Sequence, residues 1–270
     1  MRTPLRVSVC MKPISILIFL CSIVVFISTA HAKQPRPASG RAKTAATPCP
    51  GVQTIKDCPP GGCGTGADKE LNQHKNLPSD PEDQPAVLRS IQWMQDLPNP
   101  QNFTAKHHDR DELKQLGEGQ KITVVAWTLA ARKGGQESCN CKLKAKADTD
   151  NHIVLVDPSL EDPTLEENEK PDSETAEFTP RVRLNHPKLT QENLEPLIDP
   201  EWQPGATPKV GKLMVRVTGL LMFDSEHFLR NPLKRHNNWE IHPVLKMEYC
   251  PDDKGCEAES DDNWVDLEAE

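Results

Sequence analysis

Two long apolar-rich stretches dominate the second half of the chain. Lys212–Asp224 and Asn238–Tyr249 are rich in Val, Leu, Ile and aromatic residues, with polar residues alternating at each start. That is the period of a half-buried strand. Between them, Ser225–Asn237 has no apolar period and predicts a long connection. Ile122–Leu129 repeats the apolar character of Val215–Met222 position by position, and two such strands bracketing a smaller middle section predict a small barrel. Lys121–Leu129 is partly apolar on both faces, as a barrel wall is.

The middle section reads as further strands. Arg132–Gly135 predicts a turn or bulge, Cys139–Ala145 a second strand and His152–Asp157 a third. Ala176–Leu184 is strand-like, with Pro180 at an edge or bulge. Thr190 caps a short helix ending near Leu197. The order β-β-β-α-β-β matches a five-stranded, partly open barrel of the OB type. Upstream, Asp68 caps a short helix to Asn76, and a second helix is expected over Pro85–Gln95, where Val87, Leu88, Ile91 and Met94 fall on one face. Asp109–Leu116 adds another turn or two. The fold class is mainly β: an OB-like barrel with a short helix and an irregular, partly helical, disulfide-containing N-terminal appendage.

The beginning of the chain has a different pattern. Arg2, Arg6 and Lys12 precede an apolar run from Ile14 to Ile27, and Ala30-His31-Ala32 is a small-x-small cleavage site. These are the regions of a secretory signal peptide in their usual order. A membrane anchor needs roughly 20 apolar residues, more than this run supplies. Phe19 and Leu20 are too large for a lipid-modification box at Cys21. The expected division is a signal peptide over 1–32, a flexible linker over 33–47, a Cys-rich, partly helical appendage over 48–118, the barrel over 119–250 with an acidic insertion at 157–177, and an acidic tail over 251–270. No membrane span is expected in the mature chain.

Charge narrows the choice of partners. The 270 residues carry 32 Lys and Arg against 40 Asp and Glu. Residues 1–32 hold three of the cations and no acid, so the mature balance is 29 minus 40, or −11. Asp157–Glu177 holds nine acids against Lys170, and Pro251–Glu270 nine against Lys254. Such runs are usually solvated, and they argue against nucleic acid, which needs a basic surface. Seven cysteines remain after Cys10 and Cys21, which permits three disulfides and one free thiol in an oxidising compartment. Cys250 and Cys256 flank a turn-prone loop and are expected to pair. A Cys63 bond to Cys139 or Cys141 would tie the appendage to the barrel. Zinc at Cys49, Cys58 and Cys63 lacks a tight C-x2-C pair, and Cys139-Asn-Cys141 reads as two structural half-cystines rather than a redox pair.

Several strings resemble an uncharacterised group of exported bacterial proteins with an OB-like core. They are Gly62-Cys63-Gly64 with Leu71-Asn72 and Lys75-Asn76, Lys133-Gly-Gly with Glu137-Ser-Cys139-Asn-Cys141, His152-Ile, Thr179-Pro-Arg181-Val-Arg183, Val215-Arg-Val-Thr-Gly219 and Trp239-Glu-Ile-His-Pro243. The resemblance spans about Cys58 to Tyr249 and implies secretion and an OB-like core. It implies no activity and therefore no catalytic residues.

Three sets of side chains carry candidate chemistry. Asp150, His152, Glu240 and His242 have the donors of a divalent-metal site, against the plainer reading of histidines bonded to strand neighbours. Arg181 and Arg183, alternating on a strand, would share a face able to stabilise a phosphoryl group beside Glu177 or Asp150, or else form an exposed ion-pair ladder. Trp127, Phe178, Trp239 and Tyr249 are available for stacking, although aromatics at strand spacing usually form core. Asp224 and His227 make a weaker loop pair. The ligand-binding candidates are thus Arg181, Arg183, Trp239 and His242. No nucleophile motif or phosphate loop occurs. The expected function is non-catalytic binding of an envelope ligand or protein, without a cofactor. The alternative is a metal-assisted phosphodiesterase or nuclease using a divalent ion.

Overall fold

In the computed structural model the described residues are 49–269, apart from 65–66, 78–83, 101–109, 207–210, 229–233 and 252–253. The expected signal peptide and linker lie outside them. The elements in chain order are α1 (Lys69–Lys75), β1 (Val87–Arg89), α2 (Ile91–Gln95), α3 (Asp111–Gln115), β2 (Lys121–Lys133) and β3 (Asn151–Val156), then α4 (Leu165–Asp172), β4 (Ser173–Phe178), α5 (Gln191–Ile198), β5 (Leu213–Phe223), β6 (Trp239–Tyr249) and β7 (Val265–Asp266). Among the described residues no helix is long and apolar enough to cross a membrane.

Five strands close a barrel in the order β2-β3-β4-β6-β5, with β5 returning to β2. All neighbours are antiparallel except β4 and β6, which run parallel. With α5 between the third and fourth barrel strands, this is the order of an OB-like barrel. Strand β1 adds in parallel to β2, and β7 adds to β6.

Closure depends on β2 serving two partners. Its first half, Lys121–Thr128, pairs with β5, and its second half, Trp127–Lys133, pairs with β3. The register shifts between Thr128 and Ala130, and such an irregularity bends a strand around a barrel corner. Before it, burial alternates at Ile122, Val124 and Ala126; after it, Leu129, Ala130 and Ala131 are all buried. Strand β5 has its own shift at Gly219. A Cβ there would sit 2.4 Å from the Pro243 carbonyl oxygen, so only glycine lets β5 and β6 approach this closely. The interior is filled by Ile122, Ile153, Phe178, Val217, Phe223, Trp239 and Ile241, among others. Helix α5, capped by Thr190, buries Leu194 and Ile198.

Several predicted elements differ. The helix expected over Pro85–Gln95 divides: Val87–Arg89 pairs with β2, and the Ser90 hydroxyl accepts from Trp93 N–H to start α2. The strand expected at Cys139–Ala145 is a run of turns, because Cys141 and Lys142 take left-handed φ values of 52° and 59° where Cys141 reaches its disulfide partner. The strand expected over Ala176–Leu184 runs instead from Ser173 to Phe178. The Thr179 hydroxyl then accepts from Val182 N–H and a 3-10 turn begins. The acidic insertion therefore ends as the third barrel strand. The acidic tail also packs: Trp264 and Leu267 are buried and β7 pairs with β6.

Among the described residues three disulfides form: Cys49–Cys63, Cys58–Cys141 and Cys250–Cys256. The expected Cys250–Cys256 bond is present. The expected bond from Cys63 to Cys139 or Cys141 is not, since Cys63 pairs with Cys49, Cys141 with Cys58, and Cys139 is a buried free thiol. The appendage is tied to the barrel-side loop through Cys58 and Cys141 instead.

Candidate metal centre

The polar site is written into the strand register. His152 of β3 lies opposite Glu177 of β4. Thr175 of β4 pairs with Glu240 of β6. Two residues further along both strands, on the same face, stand Glu177 and His242. A row His152–Glu177–His242 therefore crosses three adjacent strands. It lies on the face opposite Ala176, Phe178, Trp239 and Ile241, which belong to the core. The ring nitrogens of His152 and His242 lie 3.3 and 3.4 Å from the Glu177 carboxylate.

The loop between β2 and β3 covers this row. Glu137 and Cys139 come from it, and Asp150, two residues before His152, enters from its end. Asn140 Nδ2 donates to Asp150 Oδ2 at 2.6 Å. The appendage holds that loop in place. Asn76 donates to the carbonyls of Pro60 and Cys139, Ser138 Oγ donates to Asn72, and Lys75 Nζ reaches Glu137 Oε2 at 2.8 Å. Gly62, at φ +59°, lets Cys63 N–H bond Ser138 O; a Cβ there would lie 2.1 Å from that oxygen.

Charge continues through the molecule from this seat. His242 Nδ1 is 3.2 Å from Glu240, Glu240 accepts from Arg235 at 2.8 Å, and Arg235 donates to Asp224 at 2.7 Å. Asp224 also contacts His227. Burial pulls the Lys75 ammonium down, but Glu137, Asp224 and Glu177 outweigh it and hold it well above its ordinary value. Burial likewise works against the Glu137 carboxylate, yet Lys75 and His152 keep it well below the carboxylate range. Burial pushes Glu177 up to about 7, with His152 and His242 pulling the other way. Glu177 raises His152 to about 10 against the desolvation of its ring. Although that side chain is 39% exposed, its Nε2 is buried. Burial also raises the Asp150 carboxyl, aided by Glu137, and the Cys139 thiol.

The pairings leave donors over. His242 Nε2, Asp150 Oδ1 and Glu177 Oε2 are buried without a hydrogen-bond partner among the described residues. Buried polar atoms are seldom left so, because each forgoes its interaction with water. One donor atom each from Asp150, Glu177 and His242 lie within 4.8 Å of one another, as do those of Glu137, His152 and Glu177. Imidazole and carboxylate donors at such spacing suit zinc or another divalent transition metal.

The sequence-predicted residues divide sharply. Asp150, His152 and His242 all lie along this row. Glu240 stands beside His242 but is engaged by Arg235. Arg181 and Arg183 do not form a strand face: Arg181 precedes the 3-10 turn and Arg183 lies within it, and both donate mainly to backbone carbonyls. Arg181 bonds Cys58 O and Pro59 O, while Arg183 bonds Phe178 O and Thr149 O. Trp239 is fully buried, 5.1 Å from Phe223 between ring centroids, with its Nε1 donating to Pro98 O. It is core rather than a stacking surface, as are Phe178 and Tyr249. Asp224 and His227 do pair. Sequence reasoning missed Glu137 and Lys75 as seat residues, and placed Glu177 with the arginines. The alternation of Glu177 against the apolar Ala176 and Phe178 was the available signal.

No family model, curated protein or solved structure matches the chain.

Proposed function

We propose that this chain is an exported, disulfide-stapled binding protein of the cell envelope whose ligand is a divalent transition-metal ion, seated by Glu137, Asp150, His152, Glu177 and His242. The observation that carries the reading is the convergence of these side chains with His242 Nε2 and Asp150 Oδ1 buried and without a hydrogen bond among the described residues. A bound cation would give those atoms the partners they lack. Export rests on the charged, apolar and small-residue regions of 1–32, and three disulfides accord with an oxidising compartment. Phosphodiesterase or nuclease chemistry has less support, because the two arginines assigned to phosphate are occupied by carbonyls.

Isothermal titration of the chelator-treated full chain with Zn²⁺ and Mn²⁺ tests this. At least one ion should bind saturably, and His242→Ala and Asp150→Asn should each weaken binding tenfold or more while circular dichroism stays unchanged. Absence of saturable binding by either ion would sink the reading.

A further inference from the structure

We propose that the seat takes two divalent transition-metal ions side by side, with Glu177 as the carboxylate bridge between them; this rests on the metal-binding reading above and specifies its stoichiometry. The donors form overlapping sets, two of which share Glu177, while Glu137, Cys139 and Asp150 make a third that joins them. Glu137, His152 and Glu177 form the first, and Asp150, Glu177 and His242 form the second, each with its donor atoms within 4.8 Å of one another. Glu177 belongs to both, and it meets the two imidazoles with different oxygens. Its Oε1 lies 3.3 Å from His152 Nε2, and its Oε2 lies 3.4 Å from His242 Nδ1.

A carboxylate that turns one oxygen to each of two donor sets is placed to bridge ions about 3.5–4 Å apart. Each set also brings its own second carboxylate, Glu137 or Asp150, so neither ion depends on the bridge alone. Cys139 lies between those two, its Sγ 3.4 Å from Glu137 Oε2 and 4.0 Å from Asp150 Oδ2, and is placed to serve as a thiolate donor on that side. The second, independent observation is that His242 Nε2 and Asp150 Oδ1 in the second set are buried without a hydrogen bond, while His152 Nε2 in the first is buried facing the carboxylates of Glu177 and Glu137. A single ion coordinated midway in the row would leave one set incomplete. Two ions use both.

The test loads the chelator-stripped full chain, disulfides intact, with Mn²⁺ alone. The expected result is two Mn²⁺ per chain by elemental mass spectrometry, with an electron paramagnetic resonance spectrum showing exchange coupling. His152→Ala and His242→Ala should each retain one ion and give the signal of isolated Mn²⁺. Glu177→Gln should abolish the coupling or lower the stoichiometry to one. One Mn²⁺ per wild-type chain overturns the pair and leaves the binding reading standing; none, with Zn²⁺ also failing to bind, overturns both. Two ions without coupling, or coupling that survives Glu177→Gln, overturns the bridge. If a variant fails to fold, wild-type stoichiometry and coupling decide between these outcomes.

Discussion

Individual side chains show how one strand serves both stability and the site. Trp239 and His242 lie on opposite faces of β6, one in the apolar interior and one in the charged row. Trp239→Ala removes a fully buried indole packed edge-on against Phe223, and should cost about 3–5 kcal/mol by urea denaturation. A loss under about 1 kcal/mol would mean that the site collapses freely or the ring is not buried. His152 predicts a pH dependence. Its folded value is raised to about 10, whereas an unfolded histidine titrates near about 6.5. Its stabilising contribution is therefore fully present below about pH 6.5 and is lost as pH rises toward 10. In the metal-free protein, thermal stability should fall across that window, and His152→Gln should flatten the fall. An unchanged profile in the variant would place the titration elsewhere.

Elements and their staples act at the next level. The Cys58–Cys141 bond spans 83 residues and joins the appendage to the loop bearing Glu137 and Cys139. The Cys250–Cys256 bond spans only 6. By loop-closure entropy alone the first constrains the unfolded chain by about 4.5 kcal/mol and the second by about 2.2 kcal/mol. Replacing Cys58 and Cys141 together by serine should thus destabilise more than replacing Cys250 and Cys256, and should also weaken metal binding. Equal effects of the two pairs on both measurements would contradict this. Cys139 should resist alkylation until the chain is denatured, because its thiol is buried.

At the scale of the described molecule, the barrel supplies a wall and the appendage a cover, with the charged row between them. If the chain is exported as proposed, N-terminal sequencing of secreted or periplasmic material should begin Lys33-Gln34-Pro35-Arg36. Material still beginning at Met1 in a membrane fraction would refute that cleavage.

How much was legible follows from the range of the forces involved. Strands β5 and β6 were visible because apolar content and alternation are local properties, and the predicted bounds Lys212–Asp224 and Asn238–Tyr249 lie within a residue of the observed ones. Thr190 and Asp68 announced their helices, since a cap acts over three residues. The turn-prone loop likewise announced Cys250–Cys256. Pairings across the chain were another matter. Cys58 finds Cys141, Lys75 finds Glu137, and Val87–Arg89 leaves a helical pattern for a parallel edge, each through partners far away in sequence. Asp150, His152 and His242 could be named as donors from their residue types. Only the closing of β4 against β6 decided that Glu177 stands between the histidines, because register is fixed by the burial of the opposite face. The same closure placed Trp239 in the core, and the 3-10 turn after Phe178 turned both arginines to backbone carbonyls.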